Sequence, residues 1–346
     1  MEHCPPEIWH KIFLSACTDG GFTGRSLLLT SHSFRAVAAP VCLHSVALKS
    51  LKQVITFATT FEKAGANTII RHLLISMDEK HDNEVYLNSL LREGLRRAYP
   101  AILERAAPTL LTLFINHYDF TSFCKHTSLR FPVLRDLAVH SLSRYQPDND
   151  LDYPFPLLER VHISTVYNTS GSGEPFVALA TMAPHLTTLR LSDIREDVAL
   201  PRFLRTLLRV PDPPGGAPAP QEGIDPEEIV KYLPCLTNVL VEPFVFHDYA
   251  AYGMQTEAEE HTTMMTGLDT TAKACVTRRE GEPRLVVMPS VHALYSAESW
   301  LSHWLEVVEG GDGPWTGAAS VPSSKGYEPP PRPEVLNLLR SAGVAL

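Results

Sequence analysis

Histidine is the residue of this chain best able to do chemistry. There are 15 in 346 residues, enough to raise metal binding or base catalysis. Their spacing argues against both. No His-Glu-x-x-His or His-x-x-x-His pair occurs, and Glu259-Glu260-His261 has no second histidine one helical turn away, as zinc bound from one helix face requires. Asp148, Asp150, Asp152 and Glu159 have the spacing of a calcium loop. Its turn-making glycine is replaced by Tyr153, however, and Pro154 and Pro156 break the flanking geometry, so a solvated acidic turn is expected. Ser170-Gly171-Ser172-Gly173 could offer backbone N–H groups to an anion; without the lysine of a phosphate loop it reads as a turn. No Gly-x-Ser-x-Gly elbow is present. The expectation is no catalytic residue, no metal and no cofactor. An enzyme whose residues are dispersed in sequence would need a cleft gathering His, Asp and Ser side chains.

Composition narrows the partners. With 44% hydrophobic and 20% charged residues the chain is a folded globular protein. The six cysteines, at 4, 17, 42, 124, 235 and 275, form no Cys-x-x-Cys and read as reduced thiols. The N-terminus lacks a basic-then-apolar signal, and no apolar run approaches the roughly 20 residues of a membrane span. A cytoplasmic or nuclear location is therefore expected. The net charge is -9, and residues 200–346 hold 11 Lys+Arg against 19 Asp+Glu. Phosphate binding needs the opposite balance, so neither nucleic acid nor membrane is an expected partner.

What the chain does have is a repeat. Pro108-Thr-Leu110-Leu-Thr-Leu113-Phe-Ile115 recurs as Pro132…Leu134…Leu137…Val139, Pro156…Leu158…Val161…Ile163, Pro184…Leu186…Leu189…Leu191 and Pro234…Leu236…Val239…Val241, at spacings of 24, 24, 28 and 50 residues. An earlier copy without proline, Ile70…Leu73…Ile75, and a late one at Pro283…Leu285 extend the frame. The closing apolar-x-apolar has the period of a short strand, the earlier leucine packs the incoming turn, and the proline stops the preceding segment. Helical stretches such as Phe176–Met182 and Phe203–Leu208 fit between the strands. One such unit cannot bury its apolar face alone, whereas stacked units share a core. An ordinary α/β domain with coincidental prolines is the alternative.

The spacing and the Leu-x-x-Leu-x-Leu core resemble a leucine-rich repeat over residues 65–295, without the regular asparagine after the strand. The residue between the last two apolar positions then faces away from the core. On that face Phe114, Arg160, His162 and Arg190 are candidate target-binding residues; an ordinary solvated sheet face is the other reading. A proline-rich loop at 211–226 interrupts the rhythm. Trp300, Leu301, Trp304, Leu305 and Val308 mark an amphipathic helix at 296–309, expected to cover the open end of the stack. The tail, 310–346, holds Pro329-Pro330-Pro331-Arg332-Pro333, a spacer or polyproline ligand, and a short helix over 333–341.

The first 48 residues read as a separate module, with residues 49–64 a connecting helix. Pro5-Pro6-Glu7 opens a helix carrying Ile8, Trp9, Ile12 and Phe13, and Ser26 and Ser31 can cap two more. The run Pro5-Pro6-Glu7-Ile8-Trp9-His10-Lys11-Ile12-Phe13, followed by Leu28-Leu29-Thr30-Ser31-His32-Ser33-Phe34-Arg35-Ala36-Val37-Ala38-Ala39-Pro40, resembles the F-box motif. Cys4 stands where leucine is usual and His32 where Arg or Lys is. The resemblance implies an α/β chain, F-box then solenoid with a parallel sheet on one face, acting as the substrate receptor of a Skp–cullin–F-box ubiquitin ligase. By that resemblance Pro6, Ile8, Ile12, Leu28, Phe34 and Val37 would dock on a Skp-type adaptor, and through it a cullin, while the solenoid holds a protein target. Removing residues 1–48 is then expected to leave the solenoid folded. Alternatives are a helical cap on the first repeat and a scaffold that needs no adaptor.

Overall fold

Four copies of the repeat begin with the same turn. Pro132, Pro156, Pro184 and Pro234 each take its second position, and the leucine two residues on donates its N–H to the carbonyl just before the proline (Leu134 to Phe131, Leu158 to Phe155, Leu186 to Ala183, Leu236 to Leu233). A ring-fixed φ suits that position. A strand follows each turn. The computed structural model describes residues 4–63, 69–77, 89–116, 129–140, 154–164, 176, 179–180, 182–195, 197–211, 233–244, 255–276, 278, 282–289 and 296–316. The acidic turn at 148–152, Ser170–Gly173, the proline-rich loop beyond Pro211 and the tail beyond Thr316 lie outside them.

The chain is α/β. Eight strands, β1 (Ser45–Leu48), β2 (His72–Ser76), β3 (Thr112–Asn116), β4 (Asp136–Val139), β5 (Arg160–Ile163), β6 (Thr188–Ile194), β7 (Asn238–Pro243) and β8 (Arg284–Val287), form one parallel sheet in chain order. Register holds across the stack from the first residue of each strand. Ser45, His72, Thr112, Asp136, Arg160, Thr188, Asn238 and Arg284 lie opposite one another from strand to strand. The apolar columns therefore coincide, and Leu73, Leu113, Leu137, Val161, Leu189 and Val239 are buried in one continuous core. A bulge at Asp193, with φ +50°, shifts register only at the end of β6.

Helices cover that core face: α4 (Leu51–Lys63) against α5 (Ser89–Ala106), then α6 (Leu200–Leu207) and α7 (Gln255–Val276), which also packs on β8. The N-terminal helices α1 (Pro6–Ala16), α2 (Phe22–Leu28) and α3 (His32–Ala38) have a small core of their own. Phe13, Ala38 and Val41 are buried there, with Trp9, Leu27, Leu28, Phe34 and Val37 packed around them. Ser31 caps α3 by accepting from the Phe34 N–H.

This three-helix segment is joined to the sheet. The Ala47 N–H donates to the Gly20 carbonyl, and the Ser45 hydroxyl accepts from the Gly20 N–H and donates to the Cys17 carbonyl. Gly24 lies so close to Cys42 that a Cβ would fall 2.1 Å from its carbonyl oxygen. Two expectations change as a result. β1 lies inside the segment 1–48, so its removal would strip a strand from the sheet and not leave the remainder intact. The last helix among the described residues, α8 (Ala297–Val308), followed by the 3-10 turn Gly313–Trp315, does not cap the end. It lies on the sheet face opposite the core, packed on β2 and β3, and the turn reaches β6.

Candidate functional site

Two surfaces carry the residues singled out by sequence. The first is the outer face of α1 and α2. Pro5 precedes the helix and Pro6 starts it, preset for helical φ, and Glu7 sits in the first turn. Trp9 and Phe13 turn inward, where Phe34 meets them at ring-centroid distances of 5.1 and 5.5 Å. One residue before Trp9 and one before Phe13, Ile8 and Ile12 therefore point outward, 44% and 47% exposed. Of the six docking candidates, Pro6, Ile8 and Ile12 are exposed, whereas Leu28, Phe34 and Val37 are half-buried in the internal cluster. Sequence reasoning passed over Phe22 and Leu29, 76% and 72% exposed on and just after α2. Half of the large exposed apolar side chains among the described residues lie between Ile8 and Leu29. Exposed apolar side chains gathered in one region are a feature that interaction surfaces share.

The second surface is the sheet face away from the core. Alternation places Leu74, Phe114, Ala138, His162, Arg190 and Leu240 in one row across β2 to β7. This row was expected to be exposed, and it is not. Phe114 and His162 are 1% exposed and Arg190 is fully buried, because α8 and its turn lie on them. Trp300 stands edge-on to Phe114 at 6.0 Å and stacks on His162 at 5.6 Å. Trp304 joins Leu74 in the same apolar cluster. Trp315 meets His162 edge-on, and the Arg160 guanidinium lies 5.5 Å from its ring centre. Arg160 alone keeps partial exposure, with its guanidinium bonded to Asp136.

Beneath the turn lies a buried charged network. Arg190 donates to the Glu242 carboxylate at 2.7 Å and to the Pro314 carbonyl. Ser192 donates to Glu242 at 3.0 Å and lies 2.9 Å from His162 Nε2 and 3.3 Å from Arg190 Nε. One arrangement satisfies all three contacts: the hydroxyl donates to Glu242 and its oxygen accepts from Arg190 Nε and from a His162 protonated on Nε2. In that arrangement His162 is no base toward Ser192, and the carboxylate holds the serine where a catalytic triad would have it orient the histidine. Among the described residues no three His, Cys, Asp or Glu groups stand together to hold a metal, and no helix is long and apolar enough to cross a membrane.

Burial pushes His162 well below the ordinary histidine range, with Arg190 and then His303 adding to the shift. Burial also lowers His303 to about 4, helped by Arg190 and opposed by Glu242. Both rings must be neutral in the folded chain but take up protons near 6.5 once released. Stability from them is complete above 6.5 and falls as the pH drops toward 4, where the unfolded chain binds more protons. Moving from pH 7 to pH 5 is therefore expected to cost about 2 kcal/mol through His303, with His162 adding a loss of the same sign, in urea unfolding. A stability unchanged over that interval would contradict the buried neutral pair.

Comparison with family models, curated proteins and solved structures found no match to this chain.

Proposed function

We propose that this chain is the substrate-recognition subunit of a Skp–cullin–F-box ubiquitin ligase, with α1–α3 as its F-box and the stacked strands as an irregular leucine-rich-repeat solenoid. The observation that carries the reading is the pair Ile8 and Ile12, exposed one helical turn apart on a helix that turns Trp9 and Phe13 inward. Three short helices with so small a core gain from a partner that covers apolar surface, and the F-box resemblance names a Skp-type adaptor as that partner. The joint between Gly20 and β1 suits a receptor that must hold its target in a fixed direction from the adaptor, since a mobile tether would not. The chain is non-catalytic on this reading, and the solenoid supplies the target-binding side.

The same joint also favours a second reading, in which α1–α3 only close the β1 edge of an adaptor-independent scaffold. Co-purification separates the two. The intact chain is expected to retain a Skp-type adaptor together with a cullin, and Ile8→Asp with Ile12→Asp to retain neither while its circular dichroism is unchanged. Retention by both proteins, or by neither, would favour the scaffold. Phe34→Asp is unsuited to this test because it puts a charge into the cluster of Trp9 and Phe13.

A further inference from the structure

The chemistry of the covered sheet face changes along its length. Under α8, Trp300 and Trp304 share an apolar cluster with Ala47, Leu74, Phe114 and Ala138. Under the turn Gly313–Trp315 the sheet instead offers Arg160, His162, Arg190, Ser192 and Glu242. A cover serving only to close the sheet has no need of a buried ion pair, since well-packed apolar side chains in its place are often neutral or stabilising. The turn meets this polar patch through two groups, the Pro314 carbonyl on Arg190 and the Trp315 ring against Arg160 and His162. The fit is incomplete, because the indole N–H groups of Trp300, Trp304 and Trp315 are buried without a partner. Gly310, with φ +90° and open space around it, precedes the turn, and Gly313, with φ +53°, begins it.

We propose that Gly313–Trp315 sits in the place of a target segment: the patch of Arg160, His162, Arg190, Ser192 and Glu242 binds a protein turn in which tryptophan follows proline. Arg190 holds the proline carbonyl and Arg160 faces the indole, as each does with the chain's own turn. The internal copy competes at the high effective concentration of a tethered ligand. A target displaces it by swinging the turn at Gly310 and Gly311, while Trp300 and Trp304 keep α8 on the apolar half. This inference rests on the reading of the solenoid as the target-binding side.

The test uses a fluorescent synthetic peptide of residues 309–316, titrated into the full-length chain and into full-length Trp315→Ala. Trp315→Ala is expected to bind it at least tenfold more tightly than the intact chain. A peptide with alanine in place of the tryptophan should bind at least tenfold more weakly, and adding Arg160→Ala should weaken binding severalfold. No binding to folded Trp315→Ala, equal binding to both chains, or undiminished binding of the alanine peptide would each overturn the proposal. If Trp315→Ala does not fold, hydrogen exchange in the intact chain decides. The Trp315 amide, bonded to the Asp312 carbonyl, should open at least a hundredfold more often than the Trp300 amide, bonded to the Ser296 carbonyl. Equal protection would show a fixed structural turn. No adaptor enters either experiment, so failure of adaptor capture and failure of this proposal are separate results.

Discussion

Arg190→Leu is expected to cost about 3–5 kcal/mol of folding stability, the usual result of stranding one partner of a buried ion pair. Both side chains are 1% exposed, so the Glu242 carboxylate left behind would keep the Ser192 hydroxyl but lose the guanidinium that now neutralises it. The loss arises from the stranded charge more than from the missing bond. Replacing both residues, Arg190→Leu with Glu242→Leu, is therefore expected to recover most of the stability. The coupling from a double-mutant cycle by urea unfolding should be favourable and larger than that of the exposed pair Arg97–Glu93, which contributes below about 1 kcal/mol. Equal and additive losses in the cycle would show that the two charges do not depend on each other in the folded chain.

Trp304→Ala is expected to cost a similar amount, about 3–5 kcal/mol, for an apolar reason. Trp304 is fully buried, clusters with Leu74 and Trp300, and lies within 3.6 Å of the Cβ position of Gly20. It therefore fastens α8 both to the sheet face and to the α1–α2 turn that hydrogen-bonds to β1. Its loss should lower the unfolding midpoint and leave two-state behaviour intact. A change below about 1 kcal/mol would mean that α8 contributes little to the fold and that its place on the sheet is incidental.

The strands were the most legible part of the chain because their signal is local. Pro132-x-Leu134-x-x-Leu137-x-Val139 and its sister copies each specify a turn, a packed leucine and a strand of period two. Strand β1 escaped notice although Leu43-x-x-Val46-x-Leu48 fits the same frame. It lacks the aligned proline, and it lies within the first 48 residues, which read as a separate module. Helix α7 escaped because its buried side, Met264, Leu268, Thr271 and Cys275, has helical spacing but only two strongly apolar members. Helix α8 was plain from its tryptophans, yet where it would dock depends on contacts far apart in sequence. A clue was present in His72-Leu-Leu-Ile and Thr112-Leu-Phe-Ile, since a strand apolar at successive positions is covered on both sides. Phe114, His162 and Arg190 were correctly placed on the face opposite the core. Their burial was not legible, because it is imposed by residues more than a hundred positions further along the chain.

For the N-terminal helices, spacing grouped Ile8, Trp9, Ile12 and Phe13 as one apolar stripe, and the F-box resemblance put Ile8, Ile12, Leu28, Phe34 and Val37 alike on the docking side, although the last three complete the inner cluster. In three helices this short, almost every apolar residue fits either role from spacing alone, and only the ring contacts of Trp9, Phe13 and Phe34 divide them.

The measurement that bears most directly on the ligase-receptor account is a calorimetric titration of purified Skp-type adaptor into the full-length chain and into Ile8→Asp with Ile12→Asp. The account expects saturable one-to-one binding by the first. Affinity in the second should fall at least about a hundredfold, as loss of two central apolar anchors should cause, with the thermal midpoint unchanged. Absence of binding by the intact, folded chain, or equal binding by both, would contradict it.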